Sequence, residues 1–157
     1  MNSADADFES GELAFLTSVV EERIPFNHLL GIKLVSIEPS NIKVAIKMRD
    51  ELVGNFTLRT LHGGVISSVL DAAGGMMVSY SLFQRIADLP SDEQMRRFAR
   101  IGTIDLRVDY LRPGRGERFV AGATTLRTGN KVAVTRMEMR DDKNRRIAVG
   151  TGTYIVG

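Results

Sequence analysis

The most informative part of the chain is an almost uncharged stretch near its middle. Residues 62–83 read HGGVISSVLDAAGGMMVSYSLF, and from residue 63 to residue 84 the single charged side chain is Asp71. A segment that is apolar nearly all round is typical of a helix buried on most of its sides. We therefore predict a long core helix here, with the rest of the chain folded around it.

Strands are predicted on both sides of this helix, because apolar and polar residues alternate there. Before the helix, two alternating runs flank the turn at residues 38–41 and predict a hairpin. After the helix come four more alternating runs, over residues 103–110, 117–127, 132–140 and 147–155. Short turns between consecutive strands imply antiparallel neighbours.

Helical spacing also occurs at residues 8–22, where Pro25 ends it, and residues 84–100 form a polar insert with a short helix from Ser91. The predicted fold class is α+β: a curved antiparallel sheet wrapped round one long central helix, with an N-terminal helix. A length of 157 residues suits one domain, residues 1–157, in which residues 1–25 are a helical lead-in.

The composition excludes several classes of protein. The chain has no Cys, which excludes disulfides, thiol catalysis and Cys-based metal sites. Its two His, His28 and His62, are too few for most zinc sites, so we expect neither a metal nor a cofactor. No apolar run reaches the ~18 residues of a membrane span, and the acidic start lacks the pattern of a signal peptide. We expect a cytoplasmic protein that does not bind membranes.

The net charge of +2 conceals an uneven distribution. Residues 94–157 carry 14 basic and 6 acidic residues, and 12 of the basic ones are Arg. A basic half indicates a polyanionic partner. Its aromatic residues alternate along the predicted strands and do not form a platform for base stacking, which disfavours nucleic acid.

Asp71 is a candidate catalytic residue, because burying a carboxylate without partners is costly. Ser67 and Ser68, one turn earlier, are candidate hydrogen-bond donors to it, or else small residues that allow close packing. The alternative interpretation is that Asp71 meets a loop or solvent at the edge of the helix.

His62-Gly63-Gly64 opens the same helix. Glycines let a ligand approach the backbone, and the first N–H groups of a helix lie at the positive end of its dipole. This combination suits an anion or an oxyanion. Gly-Gly also marks ordinary turns, so the tripeptide is informative because of its position at the start of the buried helix.

The spacing of His62 and Asp71 has a geometric consequence. Nine positions along a helix put the two residues half a turn out of phase and ~13.5 Å apart along the axis. They cannot act on one atom within one chain. We therefore predict an obligate dimer in which two copies of the helix run antiparallel, packed closely through the small residues 72–75.

The chain resembles a known family through Gly54-Asn55, Leu61-His62-Gly63-Gly64-Val65-Ile66, Leu70-Asp71 and Gly74-Gly75. This pattern is similar to that of the hotdog-fold acyl-CoA thioesterases of the PaaI-like branch. The resemblance covers roughly residues 26–157 and includes the spacing from the His to the acid. It implies a hotdog fold and an acyl-CoA substrate, and it leaves open whether the predicted homodimer pairs further into a dimer of dimers.

The resemblance also implies roles for single residues. Asp71 acts as general base or nucleophile toward the thioester, the Gly63 N–H polarises its carbonyl, and His62 positions the carbonyl or its neighbours. Asn55 corresponds to the family's upstream Asn or Gln, which orients water or the leaving group. The family's residue lies one position nearer to the His, where this chain has Phe56. Outside the family, Asn55 is interpreted as a turn residue.

Coenzyme A carries phosphates, for which Arg is suited because its guanidinium donates two parallel hydrogen bonds. The family's corresponding residues imply substrate binding by Gly64, Arg112, Gly129, Asn130 and Lys131. Charges at strand ends are equally expected of a solvated sheet edge.

The sequence does not determine the acyl group of the substrate. Five apolar residues line either a tunnel or the core, and their helical spacing favours the core: Phe56, Met76, Met77, Tyr80 and Phe83. The resemblance favours medium- or long-chain acyl-CoA. The alternatives are an aryl-CoA thioesterase of the phenylacetyl type, a hydratase or dehydratase, and an acyl-CoA-binding hotdog module without chemistry.

Overall fold

The computed structural model of the chain describes residue 11 and residues 14–157. Its helices are α1 (Pro25–Leu30), α2 (Gly63–Ile86) and α3 (Ser91–Phe98), preceded by helical residues 14–18 and a π-helix, Val19–Arg23. Its strands are β1 (Lys33–Glu38), β2 (Asn41–Lys47), β3 (Val53–Asn55), β4 (Thr60–Leu61), β5 (Gly102–Tyr110), β6 (Arg118–Thr128), β7 (Val132–Asp141) and β8 (Arg146–Ile155).

Six of the strands form one antiparallel sheet in the order β1-β2-β6-β7-β8-β5. The predicted hairpin is β1–β2, and the four strands predicted after the helix are β5 to β8. The separate β3–β4 ribbon was not predicted, because strands of three and two residues are too short to alternate.

The long helix α2 lies across one face of the sheet and contacts β2, β5, β6, β7 and β8. Alternate residues of the strands point into this core, such as Ala121 and Ala123 of β6 and Met137 and Met139 of β7. Asp71 interrupts the apolar run, but by length and mean composition α2 is apolar enough to cross a membrane, and 56% of its most apolar window is buried inside this fold. The predicted core helix and the predicted fold class are confirmed.

The N-terminal segment follows the prediction in part. Residues 8–10, 12 and 13 of the predicted helix lie outside the described residues, and the helical residues from 14 onward end at Arg23. Pro25 then begins α1, a helix that the sequence did not predict. A proline fits the first turn because the N–H group that it lacks would have no helical partner there. Gly31 ends α1 with a left-handed φ of 69°, which favours glycine.

The polar insert contains α3, which begins at Ser91 as predicted. This helix is held against α2 by aromatic contacts: the ring of Phe98 lies 5.2 Å from that of Phe83 and 6.0 Å from that of Phe15. The insert therefore packs on the end of the core helix and leads directly into β5.

Candidate active site

Asp71 lies in the third turn of α2 and is half-buried. Its carboxylate oxygen Oδ1 accepts two hydrogen bonds, from the Thr103 hydroxyl at 3.0 Å and from the Tyr154 hydroxyl at 3.2 Å. Its other oxygen, Oδ2, has no donor among the described residues. The protein thus holds one oxygen in place and leaves the other free to accept a proton.

Tyr154 is buried behind α2, with 1% of its surface exposed. Burial and the nearby charge of Asp71 both raise the pKa of the Tyr154 hydroxyl, which keeps it protonated as a donor. Two glycines make room for it: a Cβ at Gly152 would lie 2.6 Å from the hydroxyl oxygen, and a Cβ at Gly74 would lie closer still. Neither Thr103 nor Tyr154 was predicted, because both belong to alternating strands in which nothing local distinguishes them.

Ser67 and Ser68 do not bind Asp71. Both hydroxyls donate to the Gly64 carbonyl, at 3.0 Å and 2.7 Å. The prediction that these serines donate to the carboxylate is therefore wrong: a serine hydroxyl in a helix reaches the carbonyl of the preceding turn more easily than a side chain further along.

His62 is the N-cap of α2, and its ring nitrogen Nδ1 accepts a hydrogen bond from the Gly64 N–H at 2.9 Å. Because Nδ1 is the acceptor, the neutral ring carries its proton on Nε2. The Tyr110 hydroxyl donates to the Gly63 carbonyl at 2.9 Å, whereas the Gly63 N–H has no acceptor within the described part of the chain. The Gly63 N–H is thus the backbone donor left at the helix start for an oxyanion, since His62 occupies that of Gly64.

The β3–β4 ribbon positions His62. The His62 N–H donates to the Leu52 carbonyl at 2.9 Å, and a Cβ at Gly54 would lie 2.7 Å from the His62 Cα. The ribbon can pass this close only with glycine at that position. Asn55 follows, and its Oδ1 accepts a hydrogen bond from the Leu58 N–H at 3.0 Å, so that within one chain it closes a turn.

Asp71 lines a cleft of about 400 Å³, the size of a small-molecule site. The π-helix, α1, α2 and the segment between α3 and β5 form its walls. The apolar lining residues are Val19, Val20, Ile24, Phe26, Ala72, Met76, Phe98 and Ile101. Neither His62, Gly63 nor Asn55 is part of its lining. A carboxylate at an apolar wall suits a hydrocarbon chain that carries a polar reacting group.

The structure shows which of the five apolar residues line the cleft and which belong to the core. Met76 lines the Asp71 cleft, Met77 is fully buried, and Tyr80 and Phe83 pack against the core. Phe56 is 88% exposed beside the β3–β4 turn.

The predicted substrate-binding residues divide between the two ends of the sheet. Arg112 follows β5 and donates to a backbone carbonyl at the start of β8 at 2.9 Å. Gly129 and Asn130 lie in the β6–β7 turn at the other end, where the Gly129 carbonyl and the Asn130 Oδ1 accept hydrogen bonds from Arg85 at 2.8 Å and 3.0 Å. Lys131 is exposed beside them. The length of β8, roughly 30 Å, separates the two groups, so one chain does not offer them to one phosphate.

A larger cavity, of about 650 Å³, lies on the face of the sheet away from α2. It is lined by charged residues such as Arg136, Glu138 and Arg140 and contains none of the candidate residues. Within the described residues, no group of three or more His, Asp or Glu side chains is placed to hold a metal ion.

An antiparallel sheet wrapped round a long helix, with a carboxylate on that helix beside an apolar cleft, defines the class of the hotdog-fold thioesterases. The family model described as the thioesterase superfamily matches residues 58–148, more than half of the chain. The chain belongs to the thioesterase superfamily. The match includes His62, Asp71 and Thr103 and leaves out Asn55 and Tyr154.

Relatives and solved structures agree with this assignment. The medium/long-chain acyl-CoA thioesterase YigI of Escherichia coli K12 is 48% identical over 134 residues, which are 85% of this chain and 86% of that protein. A crystal structure of a Shewanella oneidensis protein related to the thioesterase superfamily has a TM-score of 0.89 at 41% identity and covers 96% of this chain and 98% of its own. Zebrafish thioesterase superfamily member 2 shares the fold, with a TM-score of 0.70 at 21% identity over 90% of this chain and 94% of its own. The predicted family, fold and enzyme class, a thioester hydrolase, are confirmed.

Proposed function

We propose that this enzyme hydrolyses medium- or long-chain acyl-CoA to a free acid and CoA. The observation that carries the proposal is the Asp71 carboxylate, which has one oxygen held by two hydroxyls and the other free at the wall of an apolar cleft. The cleft accepts a hydrocarbon chain beside the reacting group. The name of the Escherichia coli relative, which is 48% identical, supports the same substrate class.

In the reaction, the free oxygen of Asp71 takes a proton from water as the water oxygen bonds to the thioester carbon. The carbonyl electrons move onto the carbonyl oxygen, and the Gly63 N–H at a helix start stabilises the oxyanion. When the carbonyl re-forms, the carbon–sulfur bond breaks and the thiolate leaves with the bonding electrons. The proton held by Asp71 then passes to the thiolate or to solvent, which restores the carboxylate. A thiolate departs readily, so little acid assistance is needed.

The alternative for Asp71 is direct attack on the thioester carbon. This route expels the thiolate and forms a mixed anhydride, which water then hydrolyses to the acid and the regenerated carboxylate. Both routes need the same free oxygen, and both need an oxyanion donor close to the reacting carbon. The free oxygen of Asp71 and the Gly63 N–H are therefore required in either route.

We propose that a second copy of the chain completes the site. β5 is an edge strand with Ile104 58% exposed, whereas at the opposite edge the Leu34 N–H is already bound by the Glu21 carboxylate at 2.9 Å. Free strand edges pair with other strands. Antiparallel pairing of two β5 strands brings the start of one, beside Asp71, next to the end of the other, beside Tyr110 and its hydrogen bond to the start of α2.

This homodimer accounts for the separation of the predicted residues within one chain. His62, Gly63, Asn55 and Arg112 lie toward the end of β5 that would approach the partner's Asp71. The pairing of two dimers, the action of residues 1–157 as one domain and a cytoplasmic location remain predictions from the sequence.

Replacing Asp71 by Asn tests the proposed function, because Asn keeps the shape of the side chain and removes the base. We expect kcat to fall at least ~10²-fold, the scale of general-base catalysis. CoA release is followed with a thiol-reactive dye on acyl-CoA thioesters from acetyl to palmitoyl, together with phenylacetyl-CoA and benzoyl-CoA. Asp88→Asn, an exposed carboxylate after α2, is the matched control.

Turnover near that of the unsubstituted enzyme by Asp71→Asn on every substrate would refute the role of Asp71. Binding of acyl-CoA without release of CoA by the unsubstituted protein would indicate the binding module. Highest kcat/KM on phenylacetyl-CoA or benzoyl-CoA would indicate the aryl-CoA thioesterase.

A further inference from the structure

A basic pocket lies at the C-terminal end of α2, apart from the Asp71 cleft. It has a volume of about 330 Å³ and is walled by α2, α3, the β6–β7 turn and the residues after β8. Its charged lining residues are Arg85, Glu93, Arg97 and Arg100. Three guanidinium groups against one carboxylate give the lining a net positive charge.

The three arginines differ in how far they are already engaged. Arg85 donates to two oxygens of the β6–β7 turn, which fixes the turn against α2. Arg97 pairs with Glu93 at 3.0 Å. The guanidinium of Arg100 makes no hydrogen bond or ion pair within the described residues, although it lines a concave surface. An unpaired, planar donor group on a concave surface shared with two other arginines suits a phosphate.

The pocket and the Asp71 cleft are neighbours. Arg100 lies three positions before Thr103, which binds Asp71, and Ile101 between them lines the cleft. The Cα atoms of two residues three positions apart lie at most about 10 Å from each other. Along α2, fourteen positions separate Asp71 from Arg85, which places both near one side of the helix and ~21 Å apart.

We propose that this pocket binds the phosphate groups of the CoA portion of the substrate while the acyl chain occupies the Asp71 cleft. The inference rests on the proposed function, because it says where the nucleotide end of that substrate goes. The arm of CoA between the sulfur and the first phosphate is about as long as four extended residues, roughly 15 Å. This reach covers the distance from the Asp71 cleft to Arg100.

The lining specifies which part of CoA is recognised. It contains no aromatic side chain on which an adenine ring would stack, so the charged phosphates are the groups that it binds. Gly129 and Asn130, implied by the family resemblance, are part of this lining, whereas Arg112 is not. The polar insert supplies the other two arginines of the lining, Arg97 and Arg100.

A series of substrates tests the proposal. Decanoyl thioesters of pantetheine, 4′-phosphopantetheine, dephospho-CoA and CoA share the reacting group and add phosphate step by step. We expect Arg100→Ala to leave KM unchanged for thioesters that lack the phosphate bound by Arg100. From the first thioester that carries this phosphate, we expect KM to rise about tenfold, the scale of one charge-assisted hydrogen bond. We expect kcat and all constants for the pantetheine thioester to stay unchanged, and the KM for the CoA thioester to rise with salt in the unsubstituted enzyme.

The matched control is Arg118→Ala, an exposed arginine at the start of β6 whose guanidinium, like that of Arg100, makes no hydrogen bond or ion pair within the described residues and which does not line the pocket. Thermal unfolding shows that each variant is folded. A KM for Arg100→Ala that is unchanged throughout, or raised equally for pantetheine and CoA thioesters, would overturn the proposal. Failure of the proposed function looks different, because the unsubstituted protein would then release no thiol from any thioester in the series.

Discussion

The hydroxyl of Tyr154 shows how much a single atom contributes to this site. It is one of two donors to Asp71 Oδ1, and its ring is surrounded by helix and sheet at a point where two glycines leave space for it. A donor that holds one carboxylate oxygen fixes the direction of the other oxygen, which is the one that accepts a proton from water. Tyr154 is therefore a positioning residue that acts through Asp71.

Tyr154→Phe removes this donor and keeps the ring. We expect kcat to fall about tenfold with KM unchanged, the scale of one hydrogen bond to a charged group, because Asp71 then has one fewer donor to hold it in place. The measurement is kcat and KM with one acyl-CoA, with thermal unfolding to report on packing. A lower unfolding temperature with an unchanged kcat would mean that the hydroxyl contributes to packing alone.

Among the elements, the β7–β8 hairpin depends on the buried carboxylate of Asp141. It accepts hydrogen bonds from the Lys143 N–H at 3.1 Å and the Arg145 N–H at 2.9 Å, and it pairs with the Arg145 guanidinium at 2.7 Å. Burial by itself would raise the pKa of Asp141, but these hydrogen bonds and the charge of Arg145 hold it below its ordinary value of 3.8. Asn144, with a left-handed φ of 58°, completes the turn.

Asp141→Asn tests this hairpin. A carboxyl whose pKa is lowered by folding stabilises the native state above its unfolded pKa, and this contribution is lost as the pH falls through the folded value. We expect the free energy of unfolding to fall by about 2 kcal/mol at pH 7, the scale of a hydrogen-bonded charged group. Urea unfolding of both proteins from pH 7 downward is the measurement, and the difference should shrink below pH 3.8. A difference that does not change with pH would contradict this explanation.

For the whole molecule, the central question is whether one chain or two build the site. If two chains share the site, we expect the Asp71→Ala and His62→Ala variants each to be inactive alone. Co-expression of the two variants should restore activity. In the mixed dimer, one site combines the intact Asp71 of one subunit with the intact His62 of the other. Purified through two different tags, that dimer should recover about half of the activity of the unsubstituted enzyme.

Sedimentation of the two-tag preparation confirms its dimeric state. No recovery in the mixed dimer would place both residues in sites within single chains. An active monomer of 17.3 kDa would exclude the shared site altogether.

Local patterns were sufficient to predict most of the architecture. The uncharged run before and after Asp71 identifies α2, and alternation of period two identifies the six strands of the sheet. The short elements α1, β3 and β4 were missed, because two or three residues do not establish alternation and the six residues of α1 make fewer than two helical turns. The same local information marks Asp71 as the single charge in an apolar helix.

The sequence alone therefore determines the family, the core helix, the carboxylate and the glycines at the helix start, because each depends on residues close together in the chain. The hydrogen-bond donors to the Asp71 carboxylate cannot be identified in this way. Thr103 and Tyr154 lie 32 and 83 positions from Asp71 and become its donors only through strand order and register. The pocket that places Arg100 beside the β6–β7 turn arises in the same way, from the packing of the insert on α2. Such contacts depend on the folded sheet and not on any local pattern, so only the tertiary structure reveals them.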